Sequence, residues 1–262
     1  MENLLDEKLG RLATEGRVGL MAHLVAGYRS LAESKEIARG LAENGADILE
    51  IQIPFSDPTA DGPVITAACQ AALRAGTRPR DALELARDAV ASTGVPVLLM
   101  SYANILVRWP GGMEAFLAEA AAGGIAGIIV PDLPPEEEDG RYYRGARAAG
   151  LHPILVVSPN VPAERLRVLA PHASGLIYAT ARVGTTGAAS DLGHDALKGF
   201  LTLVHETCGL PIAVGFGIRN RAQIDALAGS AEVAVVGSQL LRALDERGVE
   251  AVFAEVRALA GR

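Results

Sequence analysis

Glu50 and Asp61 stand near the two ends of the run Glu50-Ile-Gln-Ile-Pro-Phe-Ser-Asp-Pro-Thr-Ala-Asp61-Gly62-Pro63, and their types and settings suit acid–base chemistry. Glu50 sits inside an apolar strand pattern, where a polar group without a partner costs roughly 2–7 kcal/mol. Asp61 sits in a loop punctuated by proline and glycine just beyond that strand. A carboxyl on a rigid strand facing a second one on a loop lets a single site move two protons. The plain alternative for Glu50 is a buried structural carboxylate satisfied by a neighbouring hydroxyl or cation.

The elements that must position these groups follow from hydropathy. Eight short apolar runs, over 18–26, 47–53, 95–101, 125–130, 152–157, 175–180, 211–216 and 232–237, alternate with amphipathic segments. Those segments cover 31–44, 64–74 with 80–91, 113–122, 136–149, 163–169, 195–207, 221–227, and 239–259 with a break at Gly248. Residues 1–17 read as a further short helix. Gly45, Gly94, Gly123, Gly150 and Gly209 fall at C-cap positions before the next strand. Such alternation is the pattern of βαβ units and a parallel sheet. Eight units, with no GxGxxG after the first strand, favour an α/β closed (βα)8 barrel with an extra N-terminal helix over an open doubly wound sheet, which periodicity alone leaves open. A chain of 262 residues, half of them hydrophobic, fits one domain spanning 1–262.

In such barrels the chemistry lies at the C-terminal ends of the strands. Alternation along 47–53 puts Ile48, Glu50 and Gln52 on one face and Leu49, Ile51 and Ile53 on the other. The apolar set faces the helices, so Glu50 and Gln52 are expected to point into the barrel near its mouth.

Other classes are disfavoured. With a net charge of -7 and both signs interspersed, the chain offers no basic face for nucleic acid. Cys69 and Cys208 are far apart, with no CxxC and no histidine at ligand spacing, so neither structural zinc nor a disulfide framework is expected. No apolar run is long enough to span a bilayer, which points to a soluble cytoplasmic protein.

The run PFSDPTADGP after LEIQI resembles the tryptophan synthase alpha-subunit family. The likeness continues through LLMSYANIL (98–106), GIIVPDLPPEE (127–137), IYATARVGTTG (177–187), AVGFGI (213–218) and VVGSQLL (235–241), in order over nearly the whole chain. It implies a TIM barrel and the retro-aldol cleavage of indole-3-glycerol phosphate to indole and glyceraldehyde 3-phosphate, as a lyase of tryptophan biosynthesis without a cofactor of its own. In that mechanism Glu50 protonates indole C3 and helps remove the proton of the glycerol hydroxyl, while Asp61 accepts the indole N–H. One carboxyl must hold a proton and the other be ionised. The apolar strand around Glu50 and the wetter loop around Asp61 are expected to divide them in that sense.

Tyr102, just past the third strand, and Tyr178, within the sixth, are expected to line the indole pocket or bond a catalytic carboxylate. Asp132 is expected to orient a loop. Phosphate falls to backbone: Gly187, Gly217, Gly237 and Ser238 end strands six to eight, and a helix starting near Ser238 aims its positive end at an anion. The glycine-rich loop 181–191 is expected to close over substrate. The resemblance places Thr186 against the loop that holds Asp61, with Arg182 anchoring its start. It also implies a beta-subunit partner carrying pyridoxal phosphate, in an alpha2-beta2 assembly, with the segment 54–58 facing that partner.

Three positions depart from the family pattern. Gly27-Tyr28-Arg29 replaces Gly-Asp-Pro, His23 replaces an aromatic residue, and Gln52 replaces a glycine. Gln52 is expected to project into the mouth, where it crowds the substrate or donates a hydrogen bond to it. The competing readings are a substrate-altered or merely partner-activating member of the family, and a phosphosugar isomerase or epimerase on the same barrel. A Schiff-base aldolase fails on residue type, because Lys8, Lys35 and Lys198 all fall in helical patterns.

Overall fold

The computed structural model describes residues 3–136, 140–180, 194–215 and 217–262. Eight parallel strands close in sequence order into a barrel: β1 (Gly19–Val25), β2 (Ile48–Gln52), β3 (Val97–Met100), β4 (Gly127–Ile129), β5 (His152–Val157), β6 (Ile177–Thr180), β7 (Ile212–Gly215) and β8 (Val233–Val236). Each expected apolar run contains one of them, and β8 pairs back onto β1.

Around the strands run α1 (Leu4–Glu15), α2 (Leu31–Glu43), α3 (Pro63–Arg74), α4 (Pro79–Thr93), α5 (Ala103–Val107), α6 (Gly112–Ala122), α7 (Arg141–Ala148), α8 (Ala163–Leu169), α9 (His194–Cys208), α10 (Arg221–Asp225), α11 (Ser238–Arg247) and α12 (Val249–Ala260). Two differ from expectation. The short helix α5 follows β3 directly and carries too few residues to show a period. Helix α7 begins at Arg141 rather than at 136, because Gly140 caps it in the left-handed region at φ 70.

Two apolar layers explain the closure. Leu49, Ile51 and Ile53, with Leu20, Ala22 and Leu24, pack outward against the helices. Met21, Ile48, Leu98, Met100, Ile129, Ile154, Ala213 and Val235 point inward and fill the barrel. Strands buried on both faces read as continuous apolar runs, which is why they stood out in the sequence.

The floor of the barrel is closed by α1. Leu5, Leu9 and Leu12 join the inward layer, and a Cβ added at Gly19 would lie 2.4 Å from Leu12 Cδ1. Asn3 caps this helix by accepting from the Leu5 N–H at 2.9 Å, and its amide donates to the Ala126 carbonyl. Beside it, Arg17 grips Asp47 through two hydrogen bonds of 2.7 and 2.8 Å, and the Leu20 N–H donates to the same carboxylate. With the floor sealed, the open end is left for chemistry.

Candidate active site

The pleat carries Met21 and Ile48 into the barrel and, two residues on, His23 and Glu50. These last two occupy the same register position on β1 and β2. Both are buried, and both line a cavity at the C-terminal end of the barrel together with Asp61 and Tyr178. The expected convergence of Glu50 and Asp61 on one hollow is therefore present.

Met100, Ile129, Val156, Ile65 and Val235 give this cavity an apolar wall, and Gly217, Gly237 and Ser238 form another side. Ser238 opens the ten-residue helix α11, whose N-terminus meets the cavity at Gly237. Tyr178 fits because β7 ends in Gly215, where a Cβ would stand 3.1 Å from the phenol oxygen. Burial raises this phenol well above its ordinary value, and the charges of Glu50 and Asp61 raise it further, so it stays neutral.

Asp61 is reached by a turn in which its N–H donates to the Pro58 carbonyl at 3.0 Å. Its Oδ2 accepts from Gln52 Nε2 at 2.6 Å and from the Tyr102 hydroxyl at 2.9 Å. Tyr102 in turn accepts from the Ala60 N–H at 3.1 Å and stacks on Phe55 with centroids 5.1 Å apart. One phenol thus fixes both the loop and its carboxylate.

These contacts correct two expectations and decide between the alternatives of a third. Asp61 is not wet: burial pushes its carboxyl above the ordinary range, and this outweighs the lowering from Gln52, from His23 and from Tyr102. Gln52 does not project into the open mouth. It is fully buried, the cavity lining does not include it, and its amide donates to Asp61 and to Cys69 Sγ. Of the two alternatives expected for Tyr102, lining the pocket or bonding a catalytic carboxylate, the second is present: it is fully buried, stands outside the cavity lining and donates to Asp61. Both stand one layer behind the cavity because the loop folds Asp61 back over the end of β2.

His23 belongs to the site, although its sequence showed only a departure at an inward position. Its Nδ1 lies 3.2 Å from Glu50 Oε1, so the cation that could satisfy a buried Glu50 is present. Burial lowers the proton affinity of the ring, but the charge and hydrogen bond of Glu50, with the charge of Asp61, reverse this and raise it above 6.5. Three side-chain atoms of the cluster, His23 Nε2, Glu50 Oε2 and Gln52 Oε1, are buried without a hydrogen-bond partner among the described residues.

Asp132 orients a loop as expected, accepting from the Ala103 N–H at the start of α5 at 2.9 Å. In the turn after β1, the Tyr28 hydroxyl donates to Asp245, and Arg29, at φ 64, donates to the Leu244 carbonyl at 3.1 Å. The departing tripeptide thereby ties this turn to α11. Thr186, Gly187 and Arg182, with the rest of the loop 181–191, lie outside the described residues. Among the described residues, no group of three or more His, Cys, Asp or Glu is placed to hold a metal ion, and no helix is long and apolar enough to cross a membrane.

Comparison with known proteins agrees with this geometry. Residues 9–261 match the family model described as tryptophan synthase alpha chain. The tryptophan synthase alpha chain of Syntrophotalea carbinolica is 43% identical over 256 residues, covering 98% of this chain and 100% of that protein. Among solved structures, tryptophan synthase of Mycobacterium tuberculosis superposes with a TM-score of 0.91 at 34% identity, covering 100% of this chain and 98% of that one. The alpha subunit from Legionella pneumophila str. Paris superposes at 0.89 with 30% identity, covering 100% of this chain and 98% of that one. By sequence over almost its full length and by fold, the chain belongs to the tryptophan synthase alpha chain family, whose members are lyases that cleave indole-3-glycerol phosphate.

Proposed function

We propose that Glu50 and Asp61 carry the family's cleavage of indole-3-glycerol phosphate in this chain. Supporting this is one observation above the rest: both carboxyls line the same cavity as the Gly217, Gly237 and Ser238 backbone, with an apolar wall between. An indole ring fits the wall of Met100, Ile129 and Val156, with its N–H toward Asp61. The phosphate reaches the peptide N–H groups of Gly237 and Ser238, where the positive end of α11 favours an anion. The family resemblance assigns Gly187 to the phosphate and Thr186 to the loop that holds Asp61, and both lie outside the described residues.

Glu50 protonates indole C3, which removes the ring's aromaticity and makes it an electron sink. Asp61 accepts the indole N–H and stabilises the positive charge that develops there. The glycerol hydroxyl next to C3 then loses its proton to Glu50, the carbon–carbon bond breaks, and its electron pair restores the indole. Gln52 and Tyr102 hold Asp61 in the required orientation, so that little reorganisation remains for the reaction itself.

The eight strands in one barrel support reading residues 1–262 as one domain. A cytoplasmic protein without a cofactor of its own is in keeping with family membership. The partner we infer is a beta subunit carrying pyridoxal phosphate, met in part through the segment 54–58. Family membership removes the motive for an isomerase or epimerase reading. Glu50→Gln keeps the side-chain shape but cannot carry the proton, so it is expected to abolish indole release while leaving thermal unfolding almost unchanged. Assays with and without a beta subunit separate an active lyase from a barrel that merely activates its partner. Substantial turnover by Glu50→Gln would remove Glu50 from the mechanism.

A further inference from the structure

His23 and Glu50, side by side on β1 and β2, each keep one buried polar atom without a partner among the described residues, Nε2 and Oε2 respectively. The imidazole ring bridges two strands. Its Nδ1 edge lies 3.2 Å from Glu50 on β2. Its Cδ2 edge faces β8, where a Cβ added at Gly237 would stand 3.2 Å from it. Nε2 follows Cδ2 around the ring, and His23, Gly237 and Ser238 line the same cavity.

Unpaired buried polar atoms are costly, and a donor and an acceptor left without partners on two neighbouring side chains of one cavity suit a ligand group that satisfies both. A hydroxyl does so, because its oxygen accepts from Nε2–H while its proton is directed at Oε2. We propose that His23 is a catalytic residue that donates Nε2–H to the oxygen of the glycerol hydroxyl whose proton Glu50 removes. This rests on the acid–base role of Glu50 proposed above.

The proton accounting closes. One proton lies on the line between Nδ1 and Oε1: on Nδ1 the ring is a cation and Glu50 a carboxylate, on Oε1 the ring is neutral and Glu50 an acid. Nε2–H is a donor in both forms. Glu50 gives its proton to indole C3, and the resulting carboxylate takes the hydroxyl proton. The carbon–carbon electron pair returns to the ring, and the hydroxyl carbon becomes an aldehyde whose oxygen still accepts from Nε2–H. One proton has left Glu50 and one has returned.

A donor at that oxygen eases removal of the hydroxyl proton, as oxyanion-type donors do elsewhere. The charged groups that face His23 are Glu50 on β2 and Asp61 on the loop after it, and together they keep the ring protonated above the usual histidine range. Gly237 and Ser238 bring no charge from the side of β8 and α11, and Tyr178 on β6 brings a neutral phenol.

The test compares indole release by wild type, His23→Phe and His23→Gln between about pH 5 and 9, a range that spans histidine titration. His23→Phe is expected to lower kcat about 100-fold, the usual loss for one such donor, with KM little changed. In the wild type, kcat should fall as pH rises through the raised histidine titration, where the pair loses its shared proton, and this limb should be displaced in His23→Phe. His23→Gln restores an N–H but has no titratable proton, so it should recover part of kcat and not the limb. A His23→Phe enzyme with wild-type kcat and an unchanged limb overturns the proposal.

A second measurement does not depend on turnover or on the folding of His23 variants. In 15N-histidine-labelled Asp61→Asn, which is expected to bind substrate without cleaving it, adding indole-3-glycerol phosphate should move the Nε2 resonance of His23. An unmoved resonance in the saturated complex also overturns the proposal. Wild type without indole release, or Glu50→Gln with turnover, would instead sink the acid–base reading, and the resonance would still report whether His23 contacts the ligand.

Discussion

Asp61 owes its orientation to two donors on different elements, and each can be removed without changing side-chain volume much. Gln52→Leu deletes the N–H at 2.6 Å and Tyr102→Phe the O–H at 2.9 Å. Hydrogen bonds to charged groups contribute about 1.5–3 kcal/mol, so each variant should lose roughly 10- to 100-fold in kcat for indole release. The double variant should lose less than the product of the two, because both bonds end on one oxygen. Unchanged kcat in Gln52→Leu would mean that the loop alone positions Asp61. At this scale the sequence was partly legible. Parity along 47–53 placed Glu50 and Gln52 on the inward face of β2, but which atom Gln52 would meet depended on a loop turn with no periodic signal. The same gap hid the burial of Asp61: Pro58 and Gly62 announce a turn, not the direction in which it folds. His23 could be placed inward by parity with Met21, while its pairing with Glu50 became visible only through the register of β1 and β2.

Among the elements, α1 and α11 divide the labour at opposite ends of the barrel. Helix α11 presents its N-terminus to the cavity and is tied to the β1 turn by Tyr28 and Arg29, so a departure from the family pattern has become a brace for the helix that meets the cavity. Helix α1 seals the floor with Leu5, Leu9 and Leu12. Leu12→Ala should cost about 2–5 kcal/mol, the range for a buried leucine whose cavity collapses only partly. Since Leu12 lies at the other end of the barrel from Glu50, kcat measured well below the unfolding midpoint should stay at the wild-type value. Denaturant unfolding and indole release on the same preparation check both halves, and a proportional fall in kcat would show that the floor and the mouth are coupled. All eight strands were legible because buried parallel strands are apolar runs bounded by glycine caps. The five residues of α5 were not, and the start of α7 was misread because Gly140 interrupts an otherwise amphipathic segment.

Across the whole molecule, three titrating groups act on stability in different pH windows. The carboxyl of Asp47 is lowered below its ordinary 3.8: burial alone would raise it, but the hydrogen bond and charge of Arg17, the Leu20 N–H and Lys8 overcome that. A lowered carboxyl adds stability that is present above 3.8 and lost as pH falls through its folded value. His23, raised above 6.5, adds stability that is present below 6.5 and lost as pH rises through its folded value. Asp61 has the opposite sign to Asp47. Its folded value is raised, so its ionisation costs stability as pH climbs from 3.8 through that value. Asp47 acts below 3.8 and Asp61 above it, so the two can be told apart. Removing one partner of a buried pair costs roughly 3–5 kcal/mol, and the partial exposure of Arg17 reduces this to about 2 kcal/mol for Asp47→Asn at neutral pH. In that variant the midpoint of thermal unfolding should fall at neutral pH and lose its dependence on pH below 3.8, while the slope between pH 3.8 and the titration of Asp61 remains. Differential scanning calorimetry across the acid range reads both features. A variant that keeps the full acid slope would assign it to carboxylates other than Asp47 and reduce the clasp of Arg17 on Asp47 to a contact of geometry without net stabilisation.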